Sequence, residues 1–149
     1  GLPIGIGHAL ASRIQGPKYR VFVLMSDGEC NEGSVWEGAM MAAARRLNNL
    51  TVVIDFNKWQ ATDRSENVLQ LSPLADKWHA FGWDAVEVDG HDIDEISSAL
   101  IKRSDRPRAI IANTIKGKGI SFMEDDNNWH YRIPTAEEVK RAFSELSLS

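Results

Sequence analysis

Short runs of apolar, β-branched-rich residues alternate along this chain with stretches whose apolar residues recur at helical spacing. The runs predict four strands, at 19–25, 50–55, 83–88 and 108–114. Strands separated by helices favour a parallel sheet, because right-handed crossovers through helices join parallel strands. The sequence therefore predicts an α/β, doubly wound fold, with a mostly parallel sheet and helices on both of its faces.

Helical spacing and end signals predict five helices, at 4–14, 32–46, 73–81, 93–102 and 136–146. Gly16-Pro17 is expected to end the first helix, since this pair breaks helical patterns. Asp92 is a suitable cap for the fourth helix, and Thr135 with Glu138 forms a capping box for the last. The polar residues 58–72 are predicted to form a linker.

Composition limits the classes of function that are open to this chain. Its 149 residues suit one domain, and its net charge of −4, with no basic cluster interleaved with aromatics, argues against a nucleic-acid partner. The single cysteine, Cys30, cannot form an internal disulfide, and no apolar run approaches the roughly 20 residues that cross a bilayer. A cytoplasmic protein without a membrane partner is expected.

The first residues also bear on domain organisation. The chain lacks an initiating Met and opens on Gly1-Leu2-Pro3, inside a predicted helix start. We therefore expect residues 1–149 to be a partial domain of a longer protein, incomplete at its N-terminus.

Two predicted strands end in residues that suit a metal ion bound to a phosphorylated cofactor. Asp27-Gly28 follows the first strand, and Asn57 follows the second, 30 residues after Asp27. Parallel sheets bind ligands at the carboxyl ends of their strands. Carboxylate and carboxamide oxygens suit Mg²⁺, with Ca²⁺ or Mn²⁺ as alternatives, and Mg²⁺ commonly completes its shell with water and substrate phosphate.

Asp-Gly at a strand end is, taken alone, more often only a turn. Two features favour a ligand site. Gly28 permits close approach of a phosphate to the backbone, and a helix that begins near Glu32 offers free N–H groups and the positive end of a dipole.

The stretch from Ser26 to Asn57 resembles the diphosphate-binding signature of thiamine diphosphate enzymes, and its flanks resemble transketolase. The resembling flanks are the glycine-rich start Gly1–Gly7, the segment 28–33, and Lys116-Gly117-Lys118-Gly119 with Trp129-His130. Ser26 departs from the glycine that usually leads the signature. The resemblance extends over the whole chain.

The resemblance implies a role for each matching residue at the diphosphate. Asp27 and the Asn57 side chain would ligate Mg²⁺, with the Trp59 carbonyl as a third ligand. The amide of Gly28 would contact a phosphate, and Glu29 follows it in the cofactor-binding segment.

Two further residues carry implied catalytic roles. His130 would lie near the diphosphate and the donor sugar, and Glu32 would join a carboxylate network at a subunit interface. Without the resemblance to transketolase, the sequence indicates only an ordinary surface histidine at position 130. Glu32 reads equally well as a helix N-terminal carboxylate that interacts with the dipole.

The implied reaction is transfer of a two-carbon ketol unit from a ketose phosphate to an aldose. The family's pyrimidine-binding domain is absent here, so we expect a homodimer or an enzyme of two different subunits, and no turnover by this chain alone. Two other classes remain open. One is another thiamine diphosphate enzyme, such as deoxyxylulose phosphate synthase or the dehydrogenase first component, and the other is a non-catalytic α/β binding module.

Overall fold

The centre of the protein is a sheet of four parallel strands, seen in a computed structural model that describes residues 1–16 and 18–147. The strands are β1 (Val21–Ser26), β2 (Leu50–Phe56), β3 (Asp84–Asp89) and β4 (Arg108–Asn113). Their spatial order is β1-β2-β4-β3, with every neighbouring pair parallel. The predicted parallel α/β sheet is therefore confirmed.

Six α-helices connect or flank the strands within the described residues. They are α1 (Leu2–Ile14), α2 (Gly33–Ala44), α3 (Ser65–Val68), α4 (Leu74–Ala80), α5 (Ile93–Ile101) and α6 (Ala136–Glu145). Two 3₁₀ turns cover Gly28–Asn31 and Asn127–His130. Across this described part of the chain, the helices are too short or too polar to cross a bilayer.

The five predicted helices are confirmed with shifts of a few residues at their ends. The prediction that residues 58–72 form a linker without regular structure was wrong in part, because this stretch contains the single-turn helix α3. One turn is too short to produce a periodic apolar pattern. Gly16 follows the end of α1 with a φ of +94°, whereas Pro17 lies outside the described residues.

Both predicted caps form. The Asp92 carboxylate accepts hydrogen bonds from the N–H groups of Asp94 and Glu95, at 2.9 and 3.0 Å. Thr135 and Glu138 form the reciprocal capping box at the start of α6. These bonds satisfy backbone donors that a helix leaves unpaired at its N-terminus.

Helices cover both faces of the sheet. Residues of α1, α2 and α4 pack on one face in a cluster that includes Val52 and Ile54, both fully buried. On the other face, Ala99 of α5 packs with Ile110 and Ala112 of β4. Successive strand residues point to opposite faces, so the continuous apolar runs of β2 and β4 supply both cores. The doubly wound arrangement is confirmed.

Candidate functional site

The register of β1, β2 and β4 brings their carboxyl ends to one edge of the sheet. Ser26 lies opposite Asp55, and Phe56 lies opposite Asn113. The N–H of Asp27 donates to the Asp55 carbonyl at 3.2 Å. The strands that precede Asp27 and Asn57 are therefore neighbours, as the proposed metal site requires.

Asp27 is buried and held by three donors. Its Oδ1 accepts from the Gly28 N–H at 2.9 Å, and its Oδ2 accepts from the Lys58 N–H at 3.1 Å and the Ser65 hydroxyl at 2.6 Å. The residue has no exposed surface. Lys58 directly follows Asn57, so the Asp27 carboxylate lies against the exit of β2.

Electrostatics at Asp27 favour a cation. Burial raises the pKa of this carboxyl above its ordinary value, and the neighbouring charge of Asp55 acts in the same direction. Hydrogen bonds from Ser65, Gly28 and Lys58 oppose that rise. A positive ion beside the carboxylate would favour its charged form. A cation at this position would therefore offset the effect of burial on the Asp27 carboxylate.

The side chain of Asn57 is held at both ends of its amide. Its Nδ2 lies 3.4 Å from Asp55 Oδ2, and its Oδ1 accepts from the Trp59 N–H at 2.9 Å. An ionised carboxylate only accepts hydrogen bonds, so the amide nitrogen must be the group that faces Asp55. The oxygen of Asn57 is therefore directed away from Asp55.

Trp59 lies in a clamp between the exit loops of β2 and β4. The Arg64 guanidinium lies 3.7 Å from the centre of the Trp59 ring and binds both oxygens of Asp125, at 2.7 and 2.5 Å. The indole Nε1 donates to Asp125 Oδ1 at 2.8 Å. The clamp fixes the residue whose carbonyl is the third predicted ligand.

A donor without an acceptor in the described residues, beside Gly28, suits a phosphate. A Cβ on Gly28 would lie 3.7 Å from Gln60 Cγ and from Ser26 Oγ. Gln60 Nε2 is buried and has no hydrogen-bond partner among residues 1–16 and 18–147. A buried donor without an acceptor is costly, and a phosphate oxygen is an acceptor. The residues present therefore fit a diphosphate held by a cation.

Among the described residues, no three His, Cys, Asp or Glu side chains form a group that could hold a metal ion. A cation at this edge would therefore need the Asn57 amide and a backbone oxygen in addition to Asp27. That donor set is the one that the family resemblance implies.

Glu29 and Glu32 follow Asp27 in the chain, and in the described residues no hydrogen bond joins either of them to its carboxylate. Glu29 Oε2 accepts from the Ser26 N–H at 3.2 Å, within its own turn. Glu32 is exposed at the N-cap of α2, and its side chain makes no capping bond. Its carboxylate is free to meet another surface.

His130 ends the second 3₁₀ turn and is exposed. Its ring packs edge-on against Tyr131, with the centroids 4.7 Å apart. In the described residues, no hydrogen bond joins His130 to Asp27 or Asn57. Its segment is nevertheless attached to the β2 exit loop, where Asn127 Nδ2 donates to the Ala61 carbonyl at 3.3 Å.

Sequence reasoning missed, among others, the two hydroxyl donors that hold carboxylates of the site. Ser65 lies in the stretch predicted as a linker, and Thr114, after β4, donates its hydroxyl to Asp55 Oδ1. An isolated Ser or Thr carries no spacing signal, so only the folded arrangement identifies these donors.

Residues 14–149 match a family profile described as "Transketolase, thiamine diphosphate binding domain". The chain belongs to the transketolase family. The match confirms the resemblance seen in the sequence and supports thiamine diphosphate as the cofactor.

Two relatives in this family are similar along nearly the whole chain. One is a subunit of the apulose-4-phosphate transketolase of Actinobacillus succinogenes, 42% identical over 148 residues, which cover 98% of this chain and 54% of that protein. The 6-deoxy-6-sulfo-D-fructose transketolase subunit SqwG of a Clostridium species is 42% identical over 149 residues, with coverage of 98% and 54%. Both names designate subunits. The present chain spans about half the length of each.

A solved transketolase has the same fold. The enzyme from Campylobacter jejuni matches all of this chain with a TM-score of 0.93 at 25% sequence identity, and the match covers 25% of that enzyme. This similarity confirms the predicted fold class.

Proposed function

We propose that this chain supplies the magnesium and diphosphate half-site of a thiamine diphosphate-dependent transketolase. The enzyme transfers a two-carbon ketol unit from a ketose phosphate to an aldose, in cytoplasmic carbohydrate metabolism. The observation that carries the proposal is the buried Asp27 carboxylate beside the exit of β2, where Asn57 is oriented by Asp55.

The residues of this chain bind and orient. Asp27, Asn57 and the Trp59 carbonyl would hold the cation. Gly28, whose N–H donates to Asp27 Oδ1, and Glu29 belong to the segment that faces the diphosphate. Thiamine diphosphate, when bound, supplies the carbanion chemistry that breaks and forms the carbon–carbon bond. The protein's part is to position the cofactor and to set its electrostatic surroundings.

The remaining roles need a second surface. Glu32 is exposed, and we assign it to a carboxylate network at the interface with a pyrimidine-binding domain or partner chain. His130 is also exposed, and we assign it to the donor sugar and diphosphate. The whole enzyme is a homodimer or is built from two different subunits, and this chain alone does not turn over substrate.

Calorimetric titration of the full-length protein with thiamine diphosphate, with and without Mg²⁺, tests the half-site. We expect binding that requires Mg²⁺ and that Asp27→Ala abolishes. Asp105→Ala is the matched control, because Asp105 is an exposed aspartate outside the site. Thiamine diphosphate binding that does not depend on Mg²⁺, or that is unchanged in Asp27→Ala, contradicts the proposal.

Ketol transfer is then assayed on the same preparation with its partner subunit, where one co-purifies. The donors include apulose 4-phosphate and 6-deoxy-6-sulfo-D-fructose, the sugars in the names of the two relatives. Cofactor binding without transfer from any ketose donor would favour a binding module over an enzyme.

A further inference from the structure

Thr114 is the first residue after β4, and it contacts the exit of β2 through both its backbone and its side chain. Its N–H donates to the Phe56 carbonyl at 3.3 Å. Its hydroxyl donates to Asp55 Oδ1, 59 positions away in the chain. Thr114 therefore connects β4 to Asp55, the residue that orients Asn57.

The turn after β3 fixes Thr114 independently of Asp55. A Cβ on Gly90 would lie only 2.3 Å from Thr114 Cγ2, so the threonine methyl occupies space that only glycine leaves open. The N–H of the next residue, Ile115, donates to His91 Nε2 at 2.8 Å. The hydroxyl of Thr114 is thus presented to Asp55 from a rigid position.

The two oxygens of Asp55 have separate partners. Oδ1 accepts from Thr114, and Oδ2 faces Asn57 Nδ2 at 3.4 Å. A carboxylate held on one oxygen by a fixed hydroxyl cannot rotate freely, so its second oxygen stays opposite the amide nitrogen of Asn57. The Asn57 oxygen is then held in the direction away from Asp55.

We infer that Thr114 is a positioning residue of the metal site, which acts through Asp55 to keep the Asn57 oxygen directed at the cation. The inference rests on the proposed function, since it takes Asn57 as a ligand. Partners of metal ligands elsewhere contribute on the order of 10- to 100-fold to metal affinity.

Two substitutions separate this role from simple packing. Thr114→Val keeps the shape of the side chain and the methyl beside Gly90 but removes the hydroxyl. Thr114→Ser keeps the hydroxyl and removes the methyl. If Thr114 only fills space, the serine variant should bind Mg²⁺ and cofactor more weakly than the valine variant. If Thr114 positions Asp55, the valine variant should bind them more weakly.

The first readout is the Mg²⁺ concentration needed for thiamine diphosphate binding by the full-length protein. We expect Thr114→Val to raise it by about tenfold, the lower end of the effect of a ligand's direct partner, because Thr114 acts one contact further out through Asp55, while Thr114→Ser stays within about threefold of the parent. If Thr114→Val and the parent need the same Mg²⁺ concentration for cofactor binding, the inference is overturned. Loss of binding in both variants, in proportion to their loss of thermal stability, would overturn it as well.

The second readout needs no cofactor and no metal. In ¹⁵N-labelled protein, we expect the side-chain amide protons of Asn57 to exchange faster with solvent in Thr114→Val than in the parent, with Thr114→Ser like the parent. Unchanged exchange in Thr114→Val refutes the positioning of Asn57 even if the parent binds cofactor. Faster exchange in Thr114→Val, together with no Mg²⁺-dependent binding by the parent, refutes the proposed function instead.

Discussion

Ser65 donates its hydroxyl to the Asp27 carboxylate across 2.6 Å, although the two residues are 38 positions apart in the chain. Both are buried, with 2% and 0% of their surface exposed. The donor comes from the one-turn helix α3 in the exit loop of β2. The proposed first metal ligand is thus held by a neighbouring strand's loop as well as by its own turn.

Ser65→Ala should destabilise the protein by about 1.5–3 kcal/mol, because a buried carboxylate loses a short hydrogen bond. The free energy of unfolding in urea is the measurement. Ser144→Ala, at an exposed position of α6, is the matched control and should change that free energy by about 0.5 kcal/mol or less. Equal effects of the two substitutions would mean that the bond to Asp27 contributes nothing to stability.

Two glycines of α1 should respond in opposite directions to alanine. A Cβ on Gly5 would lie 2.3 Å from Val23 Cγ2, whereas a Cβ on Gly7 meets nothing within 4 Å. Gly7→Ala should stabilise by about 0.5–1 kcal/mol through helix propensity. Gly5→Ala should destabilise by about 1 kcal/mol or more, because overpacking outweighs that gain. Thermal unfolding measures both, and stabilisation by Gly5→Ala would show that α1 can move away from β1.

Cys30 should resist alkylation while the protein is folded. Burial, followed by the charges of Asp27 and Glu29, raises the pKa of its thiol from 9.0 to about 12, and the thiolate is the reactive form. Iodoacetamide at about pH 8 should label Cys30 only after unfolding, as mass spectrometry would record. Ser144→Cys adds an exposed thiol as the positive control, and rapid labelling of Cys30 in the native state would contradict the prediction.

The same pKa shift predicts a loss of stability in alkaline solution. Between 9.0 and about 12, the unfolded thiol releases its proton while the folded thiol keeps it, so the unfolded state binds fewer protons. Stability therefore falls as the pH rises through this window. The urea unfolding free energy of Cys30→Ala should fall less steeply than that of the parent. Parallel slopes for the two proteins would assign the alkaline loss to other groups.

Two buried tryptophans should differ in their tolerance of phenylalanine. Trp78 and Trp83 pack edge to face with centroids 4.7 Å apart, and both are almost fully buried. Trp83 Nε1 donates to the Ala39 carbonyl at 2.9 Å, whereas Trp78 Nε1 has no partner within the described residues.

Trp83→Phe should therefore cost about 1 kcal/mol more than Trp78→Phe, since both lose similar volume but only the first loses a hydrogen bond. Chemical unfolding followed by circular dichroism gives both free energies. A larger cost for Trp78→Phe would show that its indole N–H has a water or ligand partner in solution.

Local patterns predict most of the fold. The strands are recognisable because buried parallel strands are continuous apolar runs, and Asp92 and Thr135 mark helix starts through capping chemistry. The closeness of Asp27 to the exit of β2 also follows from the sequence, because a single helical crossover joins β1 to β2 and such strands commonly pair.

The rest of the site depends on distant contacts. Chain order alone does not predict that β4 lies next to β2, so the bond between Thr114 and Asp55 could not be anticipated. Asp125 lies in an acidic run that is typical of a solvated turn, yet it pairs with Arg64 from another loop. These partners are fixed by the strand order and by loop packing, neither of which leaves a periodic signal.

The strand order also sets when the site can be completed during synthesis. In the part of the chain that the structure describes, β3 pairs only with β4, and β2 reaches β3 through β4. The ribosome therefore releases β1, β2 and β3 before β4, which is the strand that joins β2 to β3. Until residues 108–114 have emerged, β3 has no partner strand among the described residues and Asp55 lacks the Thr114 hydroxyl, so the orientation of Asn57 cannot be completed before β4 is made.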